Sequence, residues 1–479
     1  MRMKKEEYCQ QTSLRQTKRR HSTSRWKHPR GPSYAREEET AYEPTLGLFS
    51  TMALVPSVKR MLALFLLLST TATTLLCSAD HDVTPICDAS NDELRLNQIQ
   101  VVGTHNSYHM RTHREVRDVV DKVIPGITQL MDYELPPLRE QLEDYRVRAF
   151  EFDVFYDPSF LYARPSGLAV VEEQCDCTLQ PPYDPEGVMA TSTNSKVFHV
   201  QDVDYRTHCY TLVECLSQLM EWSNSVDGHH TPLFIQLELK ANPLPILPSM
   251  AEELGFHPVV PLSWANTTAL ASLEEEILSV IPLDRILSPA SLTNDHPNMT
   301  LSQVVTEVGW PTISESMGKF IFFLDNNPAS DVQQVFSNTS LQRVIFRERP
   351  DGEPDAAIFK RNNPKTHYED IQDLVGKGYI VRARADSDTT EARNSDYSTQ
   401  EAAWSSGAQI ISTDYVRPDR TLIPSSEYVV HTPNHCIAQC NPIAAADILL
   451  DEDVQCEPID YSTSSASSLS SLVLSLIYA

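Results

Sequence analysis

The feature that most constrains this chain is a series of short apolar runs, each ending in polar or charged residues. After Asp80 they read IQVVGTHN, VRAFEFDVF, KVFHVQD, PLFIQLELK, KFIFFLDNN, AAIFKRNN, YIVRARADSD and AQIISTDY, eight candidate strands. Between several of them lie helical patterns: LREQLEDY at Leu138–Tyr145, TLVECLSQLMEW at Thr211–Trp222, and YEDIQDLVGKG, whose Gly378 suits a helix stop. Strand followed by helix, repeated, implies an α/β fold with a parallel sheet, and eight repeats close most economically as a TIM-type (β/α)8 barrel. A doubly wound open sheet is the alternative. Asp157–Lys196 and Ala241–Gly318 exceed ordinary loop length and read as insertions. Within His113–Pro136, residues Val116, Val119, Val120, Val123 and Ile127 recur at helical spacing. That helix is expected to pack on the barrel, with an interfacial lid as the other reading.

Charge narrows the function classes. Residues 1–60 carry 13 Lys/Arg against 6 Asp/Glu, leaving 26 against 59 in the rest, so a head of +7 precedes a body of −33. A body that acidic is repelled by nucleic acid and by anionic bilayers unless a local patch or bound cation offsets the charge. No nucleic-acid partner is expected, and cation binding is.

Lys59 and Arg60 precede the apolar run MLALFLLLSTTATTLLCSA, Met61–Ala79, which has the basic flank, hydrophobic core and small-residue end of a secretory signal. The expected organisation is a basic extension at 1–51, a signal peptide at 52–79 cleaved after Ala79, a barrel domain at 80–460 and a Ser-rich apolar tail at 461–479. A signal anchor is the alternative for the first apolar run, and a glycolipid-anchor signal for the tail. Either way the body faces outward. Past the signal remain Cys87, Cys175, Cys177, Cys209, Cys215, Cys436, Cys440 and Cys456, an even number suited to disulfides, with Cys209–Cys215 locally plausible. A zinc site from Cys436 and Cys440 is the rival. The sequons at Asn266, Asn298 and Asn338 fit a secreted glycoprotein.

The strand AFEFDVFYD, Ala149–Asp157, places Phe150, Phe152 and Val154 on one face and Glu151 and Asp153 on the other. Two carboxylates about 7 Å apart on one face resist burial unless a positive charge sits beside them; the plain alternative is a solvent-facing edge. Other strand ends repeat the pattern. The first ends at His105 and Asn106, the third at His199, and the fourth aligns Gln236, Glu238 and Lys240. Two imidazoles can divide general base and general acid work near neutral pH. Carboxylates plus an Asn carbonyl make an oxygen-rich pocket for a hard cation, favouring calcium over zinc. A zinc rival uses His105, His109 and His113, which recur every four residues and would align on a helix starting at the strand end.

With those residues in place, the chain resembles the calcium-dependent phosphoinositide-specific phospholipase C family, in particular its secreted, microbial-type branch. The resemblance rests on GTHNSYH, FEFDVFYD, FHVQDVDYRTHC, PLFIQLELK, GWPTISESMGKFIFFLD, GYIVRARADSDTTEARNSD and SGAQIISTDY, in one order across about Leu96–Tyr415. It implies a TIM-type barrel with His105 and His199 as the catalytic pair and Ca2+ held by Asn106, Glu151, Asp153 and Glu238. Metal-independent relatives place an Arg where the cation would be; here Arg148 has the wrong parity to point inward. Lys240, Arg384, Asp386 and Asp388 become candidates for phosphate or inositol contacts, or members of a structural ion-pair network. The implied reaction is attack of the inositol 2-hydroxyl on phosphorus, with His105 taking the proton and His199 protonating the diacylglycerol oxygen, or the two roles exchanged. The implied partners are a phosphatidylinositol-type lipid and, transiently, a membrane surface; a monomer is expected. A glycerophosphodiesterase-like barrel normally opens with a His-Arg-Gly motif that GTHNSYH lacks. A non-catalytic lectin-like or lipid-binding barrel would have no need of both histidines and every metal donor.

Overall fold

A computed structural model describes residues 92–241, 253–422, 425–433 and 435–446 of the chain, all within the unit Ser78–Ala479. The expected extension, signal peptide and tail lie outside the described residues.

The strands are β1 (Ile99–Thr104), β2 (Ala149–Phe155), β3 (Lys196–Val197), β4 (Leu233–Lys240), β5 (Phe320–Leu324), β6 (Ile345–Phe346), β7 (Ile358–Lys360), β8 (Ile380–Arg384), β9 (Ile410–Thr413) and β10 (Ala438–Cys440). Eight of them pair in the order β6-β5-β4-β2-β1-β9-β8-β7, every neighbour parallel. Among the described residues β6 and β7 do not pair; side chains bridge the gap instead. Glu348, just past β6, accepts from Lys360 N at 3.4 Å and Arg361 Nη1 at 3.2 Å. The result is a nearly closed (β/α)8-type barrel, which excludes the open doubly wound sheet.

Two strands differ from the sequence expectation. KVFHVQD is not a barrel strand: β3 is two residues long and pairs antiparallel with the end of β2. The eighth barrel position belongs to β6, whose two residues are too short for periodicity to reveal. Glycine makes the tightest crossing possible, since a Cβ at Gly103 would lie 2.8 Å from the Ala149 Cβ and 3.1 Å from the Ile410 side chain.

Helices follow where the patterns place them: Leu138–Glu143, Leu212–Ser225 and Tyr368–Gly376. Thr211 caps the second by accepting from Glu214 N, while the Glu214 carboxylate accepts from Tyr210 N. Gly378 ends the last of these with φ of +100°, a conformation that favours glycine. The helix Arg114–Val123 buries Val116, Val119 and Val120 against Leu168 and Val171 of the first insertion and Tyr205, a satellite core, so this face is covered by protein.

Cys175–Cys177 and Cys209–Cys215 are disulfides, and Cys436 and Cys440 are disulfide-bonded too, which removes the zinc reading of that pair. Asn298 and Asn338 are exposed; Asn266 caps the helix Thr267–Val280 by accepting from Ala269 N. Among the described residues no helix is long and apolar enough to cross a membrane.

Candidate active site

Strand parity turns Phe150, Phe152 and Val154 outward into the hydrophobic core and Glu151 and Asp153 into the barrel interior, where they are 3% and 1% exposed. This rules out the solvent-facing edge. The β2–β4 register sets Glu151 beside Gln236 and Asp153 beside Glu238. Glu151, Asp153 and Glu238 each offer an oxygen within 4.8 Å of the others, a cluster able to hold a metal ion.

The direct ion pairs of this cluster do not balance its charge, since Lys360 and Arg384, which act on Glu151 from farther off, are paired with Asp325 and Asp414. Arg382 Nη2 lies 2.5 Å from Glu151 Oε2, and Lys240 Nζ lies 2.9 Å from Asp153 Oδ2 and 3.2 Å from Glu238 Oε1. Two cations thus stand against three carboxylates. Burial raises the Asp153 carboxyl well above its usual range; Lys240 opposes this, and Glu238 and Glu151 add to it. Burial would also raise Glu151, but Arg382 holds it below the ordinary carboxylate range. Asp153 Oδ1 is buried without a hydrogen-bond partner. Asn106, buried with φ of +48°, donates its Nδ2 to the Tyr133 hydroxyl at 2.9 Å, and its Oδ1 accepts from the Tyr108 hydroxyl at 3.2 Å. An orphaned buried carboxylate oxygen, a charge deficit and an all-oxygen donor set fit calcium. Arg148 points outward, to Thr231 Oγ1 and over the Trp222 ring, as its parity requires. The arginine that reaches the cluster is Arg382, from β8; of the three carboxylates it pairs with Glu151, and it also donates to Asn362 Oδ1 and Ser412 Oγ.

Each expected catalytic histidine is held by a buried aspartate. His105 Nδ1 lies 2.8 Å from Asp414 Oδ1, and His199 Nδ1 lies 2.8 Å from Asp204 Oδ2. Arg384 reaches both His105 Nε2, at 3.1 Å, and Asp414 Oδ2, at 2.7 Å. A guanidinium can only donate, so His105 Nε2 is an acceptor there and its ring proton sits on Nδ1, donated to Asp414. Burial would raise the Asp414 carboxyl, but Arg384 and His105 hold it down at about 2. His199 donates Nδ1–H to Asp204, and its Nε2 has no hydrogen bond among the described residues; burial lowers its pKa against the pull of Asp204.

The remaining expected residues divide. Lys240 and Arg384 stand at the metal cluster and at His105. Asp386 lies behind Asp414, accepting from its backbone N at 2.9 Å and from Thr413, and burial together with Asp414 pushes its pKa up to about 7. Asp388 is exposed and makes no hydrogen bond or ion pair among the described residues. The zinc set does not assemble, because residues 105–113 form no helix and the next one starts at Arg114: His109 binds Asp204, whereas His113 binds the Tyr205 hydroxyl and Pro181 O. Asp204 and Asp414 went unread in the sequence although both lie inside quoted motifs, FHVQDVDYRTHC and IISTDY. Nothing in spacing says that either turns back toward a histidine.

The family model for phosphoinositide phospholipase C, Ca2+-dependent, matches residues 94–442. The chain belongs to that family. Membership makes it an enzyme, a phosphoric diester hydrolase with phosphoinositide phospholipase C chemistry and Ca2+ as its cofactor. Similar solved structures include a calcium-dependent phosphoinositol-specific phospholipase C from a Pseudomonas species, at 12% identity over 75% of this chain and 99% of that one with a TM-score of 0.44. The calcium-dependent enzyme from Streptomyces antibioticus matches at 14% over 67% and 95%, TM-score 0.40. The phosphatidylinositol-specific enzyme from Listeria monocytogenes matches at 10% over 69% and 93%, TM-score 0.33. No curated protein matches this chain.

Proposed function

We propose that this phospholipase C cleaves phosphatidylinositol-type lipids between phosphorus and the diacylglycerol oxygen by two-histidine acid–base catalysis. The observation that carries the proposal is the pair of imidazoles, each fixed through Nδ1 by a buried aspartate, beside a cluster of three carboxylates. His105 Nε2 takes the proton of the inositol 2-hydroxyl as that oxygen forms its bond to phosphorus. His199 gives a proton from Nε2 to the diacylglycerol oxygen as its bond to phosphorus breaks, releasing diacylglycerol and a cyclic inositol phosphate. Asp414 and Asp204 hold the tautomers these steps require and stabilise the imidazolium each ring carries in turn. Arg384 donates to His105 Nε2 and lies where it can transfer its donors to a phosphoryl oxygen. Asn106, Glu151, Asp153 and Glu238 would hold Ca2+, which when bound supplies positive charge against the charge growing on the non-bridging oxygens.

The same proposal includes secretion after cleavage at Ala79, action as a monomer, and transient contact with a membrane surface that presents the lipid. Replacing His105 or His199 by Ala tests the chemistry: turnover should disappear while calcium binding survives. Substantial turnover in either variant would remove that histidine from the mechanism.

A further inference from the structure

His109 takes no part in the reaction as described, yet it is fully buried beside it. Its Nε2 lies 2.8 Å from Asp204 Oδ2, the same oxygen that receives His199 Nδ1–H at 2.8 Å. The Thr112 hydroxyl donates to the other oxygen, Oδ1, at 2.5 Å. The carboxylate thus has three donors, and although burial would raise its pKa, His109 and His199 hold it far below the ordinary range. His109 Nδ1 is buried without a partner. A carboxylate accepts, so His109 gives its Nε2–H to Asp204 and acts as a fixed N–H donor. Its ring stacks on Tyr133 at 4.3 Å and meets His199 edge-on at 5.8 Å, and Tyr133 in turn lies 6.4 Å from the His105 ring.

We propose that His109 is a positioning residue for the general acid: by donating to the Asp204 oxygen that binds His199, it fixes that carboxylate and withdraws part of its charge from the imidazolium. Two consequences follow for His199. The Asp204 oxygen stays where it sets the ring direction, and the proton on Nε2 is released more readily to the leaving oxygen because its counter-charge is shared. The charged and titratable groups facing His199 are Asp204, His109 and Lys240. The inference rests on His199 being the acid, so its test must separate the two ideas.

The leaving group provides that separation. An alkyl leaving oxygen needs a proton in the transition state, whereas a nitrophenolate leaves without one. Full-length wild type, His199→Ala, His109→Phe and His109→Gln are assayed with calcium on an alkyl ester and a nitrophenyl ester of inositol phosphate. The alkyl-to-nitrophenyl ratio of kcat does not depend on how much of a buried-site variant folds. For His199→Ala the ratio falls at least about 100-fold, the scale of general acid catalysis. For His109→Phe it falls about 10-fold, and His109→Gln, whose amide nitrogen can replace the Nε2–H donor, recovers most of it. If His199→Ala lowers the ratio but His109→Phe leaves it unchanged, or if Gln is no better than Phe, the positioning role is overturned. If His199→Ala itself leaves the ratio unchanged, the general-acid assignment fails instead.

Discussion

Asp414→Asn removes one charge from the proposed base dyad, His105 and Asp414, while keeping the side chain's shape. Asp414 Oδ1 lies 2.8 Å from His105 Nδ1, with both oxygens committed and the carboxylate 2% exposed. When His105 takes the 2-hydroxyl proton, imidazolium and carboxylate become opposite charges with centres about 4 Å apart. At an effective dielectric constant of about 20 that attraction is about 4 kcal/mol, or on the order of 10³ in rate. Asn retains a hydrogen bond but not the charge, and it leaves Arg384, beside His105, with only the more distant Asp386 at 3.8 Å as an ion-pair partner. The two effects act in the same direction. We expect kcat, measured as soluble inositol phosphate released from phosphatidylinositol vesicles at saturating calcium, to fall by about 10² to 10³. KM and the calcium affinity should hold, since Asp414 is not among the metal donors. A loss of less than about 10-fold, or a loss expressed mainly in KM, would refute the argument that this carboxylate stabilises a charge formed only in the transition state.

Other expectations can be checked independently. Asp386 has a folded-state pKa raised from 3.8 to about 7, so the unfolded chain gives up this proton first and stability falls as pH rises between those values. Asp386→Asn should therefore raise the thermal midpoint relative to wild type at pH 8, by an amount worth at most a few kcal/mol, and should give no such gain below pH 4; a gain independent of pH would contradict it. Lys240 neutralises two of the carboxylates proposed to hold calcium, so Lys240→Met should tighten calcium binding about 10-fold in a titration calorimeter, an increment of ~1.4 kcal/mol. Unchanged or weaker binding would mean that the lysine does not compete with the ion. N-terminal sequencing of protein recovered from culture medium should begin at Asp80, and an intact Met61–Ala79 segment would favour the signal anchor.

Much of the architecture was legible because burial dictates pattern. Strands β1, β2, β4, β5, β7, β8 and β9 announce themselves as apolar runs, and parity in FEFDVF and IQLELK separates the core-facing from the interior-facing residues. β6 was missed because Ile345 and Phe346 are too few to show a period. KVFHVQD was over-read because an apolar run does not say which way its strand runs or whether it joins the main sheet. The site divides along the same line. Residues on barrel strands could be placed by alternation, which brought Glu151, Asp153, Glu238 and Lys240 together in the reading and, through the same parity, turned Arg148 away. Asp414 lies just beyond β9 and Asp204 in the turn bridged to Val200 after β3, where side-chain direction follows turn geometry. Arg382 illustrates a different gap: its inward direction was available from YIVRARADSD, but its pairing with Glu151 depends on barrel closure bringing β8 opposite β2.

The most direct test of the account is inositol phosphate release from phosphatidylinositol vesicles by the purified protein, first with calcium, then with a chelator, then with calcium restored. The account predicts release that is lost on chelation and returns with the ion. Release indifferent to chelation would contradict the role given to Asn106, Glu151, Asp153 and Glu238, and no release under any of these conditions would contradict the proposed substrate.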